Sequence, residues 1–324
     1  MAEIQAGVIC AYDFPGEAAP LHRGDAALTD PLPPEGGRWI HLDAASSVQD
    51  WLATGAGVPA LVVEAMLDED TRPHVAGLDE GTLITLRGVN LNAGAEPEEM
   101  ISLHLWIEDR RVISVRRQKI FAVDALRRAA DAGRPFPSIG AFVAALVEGL
   151  TDRVGSVVDE MEDRIDAYEE AGLQDRNADL RKCLVELRRD IIALRRFLVP
   201  QRDVLSKLAA RECAWLDERS RAKVAEVGED LSRIVDMLAA VRERAILVQE
   251  NIVSEATERM NRTMYMLSMV ATIFLPLGFF TGLLGINVGG IPGTDSPWAF
   301  EIVCALLATI CVLQILLFRR MRML

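Results

Sequence analysis

The chain has 324 residues, of which 50% are hydrophobic and 26% are charged, and its formal net charge is −13 at pH 7. This acidity argues against a nucleic-acid partner, because binding to phosphate needs a basic surface that releases counterions, and it favours cations as ligands. Five widely spaced cysteines without a Cys-x-x-Cys pair argue against disulfides and against a zinc-finger site.

The first part of the chain, residues 1–140, is predicted to form a cytoplasmic α/β domain. No basic start followed by an apolar core is present at the N-terminus, so we expect no cleavable signal peptide. Short helices are predicted at 48–52 and 59–67, and loops at 31–37 and 92–98. The segments with the pattern of strands are 7–12, 38–43, 82–90, 101–108 and 111–116.

Residues 141–220 are predicted to form long cytoplasmic helices, with a turn at 172–177, a kink or junction at Pro200 and a second turn at 214–220. A stalk helix follows over 221–285. It has no clear stop before the glycines near its end, so it is predicted to continue into the membrane as one helix of roughly sixty residues.

The end of the chain is predicted to cross a membrane twice. No Asp, Glu, Lys or Arg occurs between Arg262 and Asp295, and Met264–Leu284 provides about 21 apolar residues, enough for one span. Residues 298–318 form the second span, with an external loop at 286–297 between the two and a basic tail at 319–324. The alternative, two buried helices of a globular core, is disfavoured because uncharged runs of this length are rare in soluble domains.

The orientation follows from the basic residues beside the spans. Arg259 and Arg262 precede the first span, Arg319, Arg320 and Arg322 follow the second, and the connecting loop has no Lys or Arg. Because basic residues are retained on the cytoplasmic side, both termini are expected in the cytoplasm.

A stripe of small and polar residues runs along the last long helix at alternating spacings of four and three. Several copies around a symmetry axis would line a narrow lumen with this stripe, whereas small residues also let a neighbouring helix approach closely. Leu267 and Ser268 compete for one place in it, and both interpretations stay open. The pore-lining candidates are Glu250, Thr257, Asn261, Met264, Leu267, Ser268, Ala271, Leu275, Gly278 and Gly282.

The line of the stripe extends toward the N-terminus from Glu250 through three more carboxylates at seven-residue spacing, namely Glu229, Asp236 and Glu243. If this line faces the axis of an oligomer, each position becomes a ring that attracts cations; if it faces outward, it is an ordinary solvated surface. An acidic tract at 159–170 has the same two interpretations, as a site for a regulatory metal between subunits or as a solvated helix face.

The segments Ile273–Leu277 and Phe280–Asn287 resemble the first transmembrane helix and the Gly-Met-Asn signature of the CorA family of metal ion transporters, here as Gly285, Ile286 and Asn287. The continuation Val288–Gly293 looks like the zinc-transporting ZntB branch. The resemblance implies a funnel-shaped homopentamer in the bacterial inner membrane, with the first span lining the pore. Gly285, Ile286 and Asn287 then form the external selectivity motif.

The expected activity is transport of a divalent cation, with zinc favoured by the resemblance and magnesium or cobalt as the alternative, since Ile286 replaces the family's Met. No cofactor, catalytic residue or fixed metal ligand is assigned, and the four histidines are scattered. Motifs for phosphate binding, zinc proteolysis or a nucleophile elbow do not occur, so an enzyme is not expected. A membrane-anchored sensor and a structural coiled-coil tether are the rival hypotheses.

Overall fold

The structure is a computed structural model that describes residues 7–14, 21–22, 28–33, 36–44, 46–134, 136–173, 177–286, 291, 293 and 296–320. These residues fall into two compact units, Met1–Gln249 and Glu250–Leu324. The division lies within one long helix.

A seven-stranded sheet forms the centre of the first unit. Its strands are β1 Val8–Phe14, β2 Leu21–His22, β3 Gly37–Asp43, β4 His74–Leu78, β5 Gly81–Gly88, β6 Ile101–Ile107 and β7 Arg111–Arg116, in the order β2-β1-β3-β7-β6-β5-β4. Neighbouring strands are antiparallel except for β3 and β7, which are parallel. All five predicted strands are present.

The two strands that the sequence pattern did not predict lie at the two edges of the sheet. β2 has only two residues, and β4 contains Gly77 and is partly exposed along its length. Edge strands are paired on one side only, so neither carries the alternating apolar pattern by which strands are recognised.

Helices cover both faces of the sheet. On one face, α1 Ser46–Asp50, a single π-helical turn at Trp51–Gly55 and α2 Ala60–Leu67 enclose a core with Leu42, Met66 and Ile113. The other face carries Trp39, whose ring lies 4.6 Å from that of Phe142. Phe142 belongs to the first long helix, and α3 Phe121–Asp131 precedes that helix.

Three long helices follow, α4 Ile139–Leu173, α5 Asn177–Ala210 and α6 Glu218–Leu284. The turn predicted at 172–177 lies mostly outside the described residues, between the end of α4 and the start of α5. The second turn, predicted at 214–220, ends earlier than expected, because the carboxylate of Asp217 accepts a hydrogen bond of 2.9 Å from the backbone N–H of Ser220 and so caps α6.

Pro200 does not form a junction between two helices, because α5 continues through it. Its missing N–H costs one helical hydrogen bond. Leu198 before it and Val204 and Leu205 after it are all buried, so packing on both sides holds the helix together.

α6 confirms the prediction that the stalk and the first apolar span are one helix, with 67 residues. Within the first unit, its buried face consists of Leu231, Val235, Leu238, Val241, Ala245 and Val248, which repeat at helical spacing. The last helix, α7, spans Ala299–Arg320. Both α6 and α7 contain a segment long and apolar enough to cross a membrane.

Candidate functional site

The second unit consists of the end of α6 together with α7. Met269, Ile273, Leu277 and Phe280 of α6 are half-buried, and they recur at helical spacing on one side of the helix. Because α7 is the other helix of this unit, we assign this side of α6 as the one that α7 covers.

A hydrogen bond between Gln314 and Thr272 joins the two helices at Pro276. Proline has no backbone N–H, so the carbonyl of Thr272, four residues earlier, loses its helical donor. The side-chain Nε2 of Gln314 on α7 donates to this carbonyl oxygen at 3.1 Å. In an apolar surrounding an unpaired carbonyl is costly, and Gln314 therefore supplies the hydrogen bond that Pro276 removes.

The pore-lining candidates lie on the opposite side of α6 from these half-buried residues. At about 100° per residue, the line through Met264, Ala271, Leu275, Gly278 and Gly282 is roughly half a turn away from them. Every candidate from Glu250 to Gly282 is exposed in the single chain. The stripe is thus a surface that α7 leaves uncovered.

Leu267 and Ser268 both remain candidates for the contested place. They deviate to opposite sides of the line by about the same angle, roughly 50°, and both are exposed. The structure of one chain does not favour either residue.

Gly278 and Gly282 make no close approach to another described part of the chain. A Cβ atom added at either position would meet no heavy atom within 4 Å. The small side chains are therefore not required for packing α6 against α7. What they leave open is space for a lumen or for another copy of the chain.

Threonine hydroxyls along this part of α6 are hydrogen-bonded to the helix itself. Thr257 Oγ1 donates to the carbonyl of Val253 at 2.8 Å, and Thr272 Oγ1 donates to that of Ser268 at 2.7 Å. Bonding a hydroxyl to the preceding turn satisfies its proton without a partner helix. The oxygen lone pairs on the stripe residue Thr257 remain free to accept from water.

The carboxylates Glu229, Asp236, Glu243 and Glu250 are all exposed, and within the described part of the chain none of them forms an ion pair. Of the three nearby arginines, Arg233, Arg242 and Arg244, two are engaged elsewhere: Arg244 binds Glu169 at 2.7 Å and also contacts Asp166. Arg233 is bonded to Asp230. Within the described part of the chain, no ion pair therefore neutralises this line of carboxylates.

The signature begins where α6 ends at Leu284. The N–H of Gly285 donates to the carbonyl of Thr281 at 2.9 Å, and a Cβ at this position would lie 2.9 Å from the same oxygen, so a larger residue would disturb the turn. Ile286 is exposed. Asn287 lies outside the described residues, as do most residues of the loop predicted at 286–297.

His41 and His104 are buried in the sheet of the first unit. His41 Nδ1 shares a hydrogen bond of 2.7 Å with Ser114 Oγ, and burial lowers the pKa of His41 to about 3. Burial likewise lowers the pKa of His104 to about 4, and its ring is hydrogen-bonded to Thr85 at 3.2 Å. Both are core histidines. Among the described residues, no group of three or more His, Cys, Asp or Glu could hold a metal ion.

Sequence reasoning missed Gln314, whose side chain forms a hydrogen bond between the two apolar helices. Two signals could have found it. Pro276 lies within a predicted span, which implies an unpaired carbonyl one turn earlier, and Gln314 is the only Asn, Gln or charged residue of the second span apart from Glu301. A lone amide in an apolar helix usually has a partner.

A soluble α/β domain, long helices and two C-terminal apolar helices, the first with an uncovered line of small and polar residues, together define a membrane transporter whose spans are confined to the end of the chain. Residues 34–320 match the family described as CorA-like Mg2+ transporter protein. The chain belongs to this family, which is one of transporters and not of enzymes.

Among its relatives, the divalent cation transporter CmaX of Pseudomonas aeruginosa is 40% identical over 321 residues, covering 98% of this chain and 96% of the relative. The zinc transport protein ZntB of Pectobacterium atrosepticum is 34% identical over 302 residues, covering 93% and 91%. The structure of full-length CmaX matches with a TM-score of 0.85 over 98% of each chain. The CorA magnesium transporter of Methanocaldococcus jannaschii matches at 0.81 over 96% of this chain and 97% of its own, and at 21% identity it shows the fold alone.

Proposed function

We propose that this protein transports divalent metal cations, zinc foremost, across the bacterial inner membrane through a pore on the axis of a homopentamer. The observation that carries the proposal is the uncovered stripe of α6. Its small and polar residues lie opposite the side that α7 covers and are not used for packing within the described chain. Such a surface on an apolar helix is expected if several copies of the chain surround a lumen and this surface lines it.

The route of the ion follows from the order of groups along α6. The carboxylates Glu229, Asp236 and Glu243 would form cytoplasmic rings that attract cations, and Glu250 would extend them to the start of the stripe. Asn287 would meet hydrated ions at the outer mouth. An amide oxygen binds a hydrated cation more weakly than a carboxylate, and weak binding permits conduction.

Zinc is favoured over magnesium because the relatives include zinc transport proteins and because Ile286 takes the place of Met in the family signature. The described residues contain no soft-ligand cluster for a naked zinc ion. The proposed cargo is therefore a hydrated divalent ion, and magnesium or cobalt transport by the same pore is the alternative.

The proposal is tested with purified protein in liposomes that carry a metal-sensitive dye. We expect entry of Zn²⁺ faster than that of Mg²⁺, Co²⁺ or Ni²⁺, compared at two pH values and with empty liposomes as control. Equal or faster entry of Mg²⁺ would overturn the zinc assignment. No flux of any divalent ion would overturn the transport function and favour a membrane-anchored sensor or tether.

A further inference from the structure

α5 carries an exposed stripe, here the α5 stripe, in which basic and apolar residues alternate at spacings of three and four. It consists of the exposed residues Lys182, Val185, Arg189, Ile192 and Arg196 and ends at the half-buried Val199. Val185 and Ile192 are each 56% exposed, which is unusual for side chains of this type on a helix whose other face is fully buried. The described part of the chain offers nothing that covers them.

α4 carries a second exposed stripe, the α4 stripe, with the same spacing. It consists of Asp152, Ser156, Asp159, Asp163, Asp166 and Glu170, all of them exposed. Among the described residues only Asp166 has an ion-pair partner, Arg244. The α4 stripe contains no basic residue and is about as long as the α5 stripe, on the order of 26 Å.

We infer that the α5 stripe of each subunit docks against the α4 stripe of the neighbouring copy, so that these two helices form the contact between subunits outside the membrane. The inference rests on the proposed function, which requires a homo-oligomer. It goes further by naming the surfaces through which the subunits contact each other. A ring needs two different, complementary patches on each copy, facing different ways. The two stripes are different and complementary in charge, and each lies on the exposed side of its own helix.

The levels of the charges along the two helices also agree. α4 ends at Leu173 and α5 begins at Asn177, so positions equally far from this turn lie at the same height of the hairpin. Arg189 is 12 residues after Asn177, and the residue 12 before Leu173 is Met161. Its outward neighbours are Asp159 and Asp163.

The same count places the other two cations of the α5 stripe opposite carboxylates. Lys182 lies level with Asp166 and Glu170, and Arg196 lies level with Asp152 and Ser156. In a closed ring, neighbouring subunits are related by a rotation about the axis without a shift along it. If the axis is parallel to α4 and α5, a residue therefore lies at the same height in every subunit. Each cation then faces acidic positions of the neighbour's α4.

The acidic line of α6 is the competing surface, and it fits less well. The exposed arginines Arg233 and Arg242 lie on the same helix as its carboxylates, whereas none of the described residues of α4 is both basic and exposed. A lipid surface with anionic headgroups is the other occupant that a basic and apolar helix face could bind. It would not account for the matching acidic stripe.

A charge swap in the full-length protein tests the inference. Individual exposed ion pairs contribute little, but a reversed charge in a row of complementary ones is repelled by several partners. Arg189→Asp is expected to raise the protein concentration at which half of the chains are assembled about tenfold, measured by native mass spectrometry in detergent. The double variant Arg189→Asp with Asp163→Arg restores the attraction at every interface and is expected to return within about threefold of the unsubstituted protein.

Lys207→Asp is the matched control, since Lys207 is exposed on the same helix and outside the α5 stripe, and it should leave assembly unchanged. If Arg189→Asp behaves like Lys207→Asp, the inference is wrong. It is also wrong if Asp163→Arg gives no rescue, or if Asp236→Arg on α6 rescues instead. If the α5 stripe binds lipid instead, Arg189→Asp would behave like Lys207→Asp, because assembly in detergent would not depend on the stripe. A monomeric unsubstituted protein would overturn the oligomer of the proposed function itself, which distinguishes the two failures.

Discussion

At the scale of single residues, ion binding at the proposed outer mouth of the pore depends on the side chain of Asn287. Asn287→Ala is expected to abolish metal flux while assembly is kept, because every subunit loses its amide acceptor at once and a loop position contributes little packing energy. Flux into liposomes and native mass spectrometry of the same preparation measure the two properties.

Asn287→Gly separates the ion-binding role from a role in the turn. Glycine accepts the backbone conformations of a turn at no steric cost, so a turn residue would be replaced without loss. We expect flux to fall as it does in Asn287→Ala. An assembled Asn287→Gly protein that transports at the unsubstituted rate would remove Asn287 from the pore.

Gln314 is expected to stabilise the pair of apolar helices through the carbonyl that Pro276 leaves unpaired. Gln314→Leu removes the donor at 3.1 Å from Thr272 O, and we expect it to cost about 1 kcal/mol, or a fall of about 1–3 °C in the melting temperature in detergent. Leu is chosen because it fills similar volume in an apolar helix.

Pro276→Ala gives the matching control for this residue. Alanine restores the backbone N–H, so the carbonyl of Thr272 regains its own helical donor and Gln314 becomes dispensable. In the Pro276→Ala background, Gln314→Leu should therefore have a clearly smaller effect on the melting temperature. Equal effects in both backgrounds would show that Gln314 acts through something other than this carbonyl.

At the scale of the element, α6 presents buried apolar residues on one side and free carboxylates on the other. Replacing Glu229, Asp236 and Glu243 together by their amides is expected to slow metal flux severalfold at low ionic strength and to have little effect at high salt, where exposed charges are screened. Folding should be unaffected because all three side chains are exposed.

Neutralising Glu64, Asp79 and Glu80, which are exposed in the α/β domain, is the control for net charge. If both triple variants reduce flux equally, the α6 line acts only through the charge of the whole protein. Slower flux in the α6 variant alone would support rings of carboxylates around an axis.

At the scale of the whole molecule, the distribution of basic residues predicts the orientation in the membrane. Single cysteines introduced at Thr294 or Ser296 should react with an impermeant reagent from outside, and those at Arg221 or Arg322 only from inside. The five native cysteines must be replaced first. Labelling at position 322 from outside would contradict the predicted topology.

Five copies of the chain are expected to assemble, because one pair of apolar helices cannot enclose a pore. Native mass spectrometry from lipid nanodiscs should give a mass close to five times 35.6 kDa. A predominant monomer or dimer in lipid would contradict this prediction.

Much of the architecture could be predicted from the sequence because its signals are local. The α6 helix, its run into the apolar segment and its buried stripe follow from helical spacing and from the absence of charge after Arg262. The five inner strands follow from their apolar runs. The division into domains at 140 and 220 stays a prediction, as does the role of each pore candidate.

Only the tertiary structure decided which side of α6 is free and what joins α6 to α7. The spacing of small residues is the same whether they face a lumen or a neighbouring helix, so the sequence left that choice open. The half-buried side toward α7 and the empty space beside Gly278 and Gly282 exclude packing within the described chain. Likewise, the partner of Thr272 lies 42 residues away in the sequence, at Gln314. Contacts between residues so far apart depend on how helices pack in three dimensions, which no local pattern records.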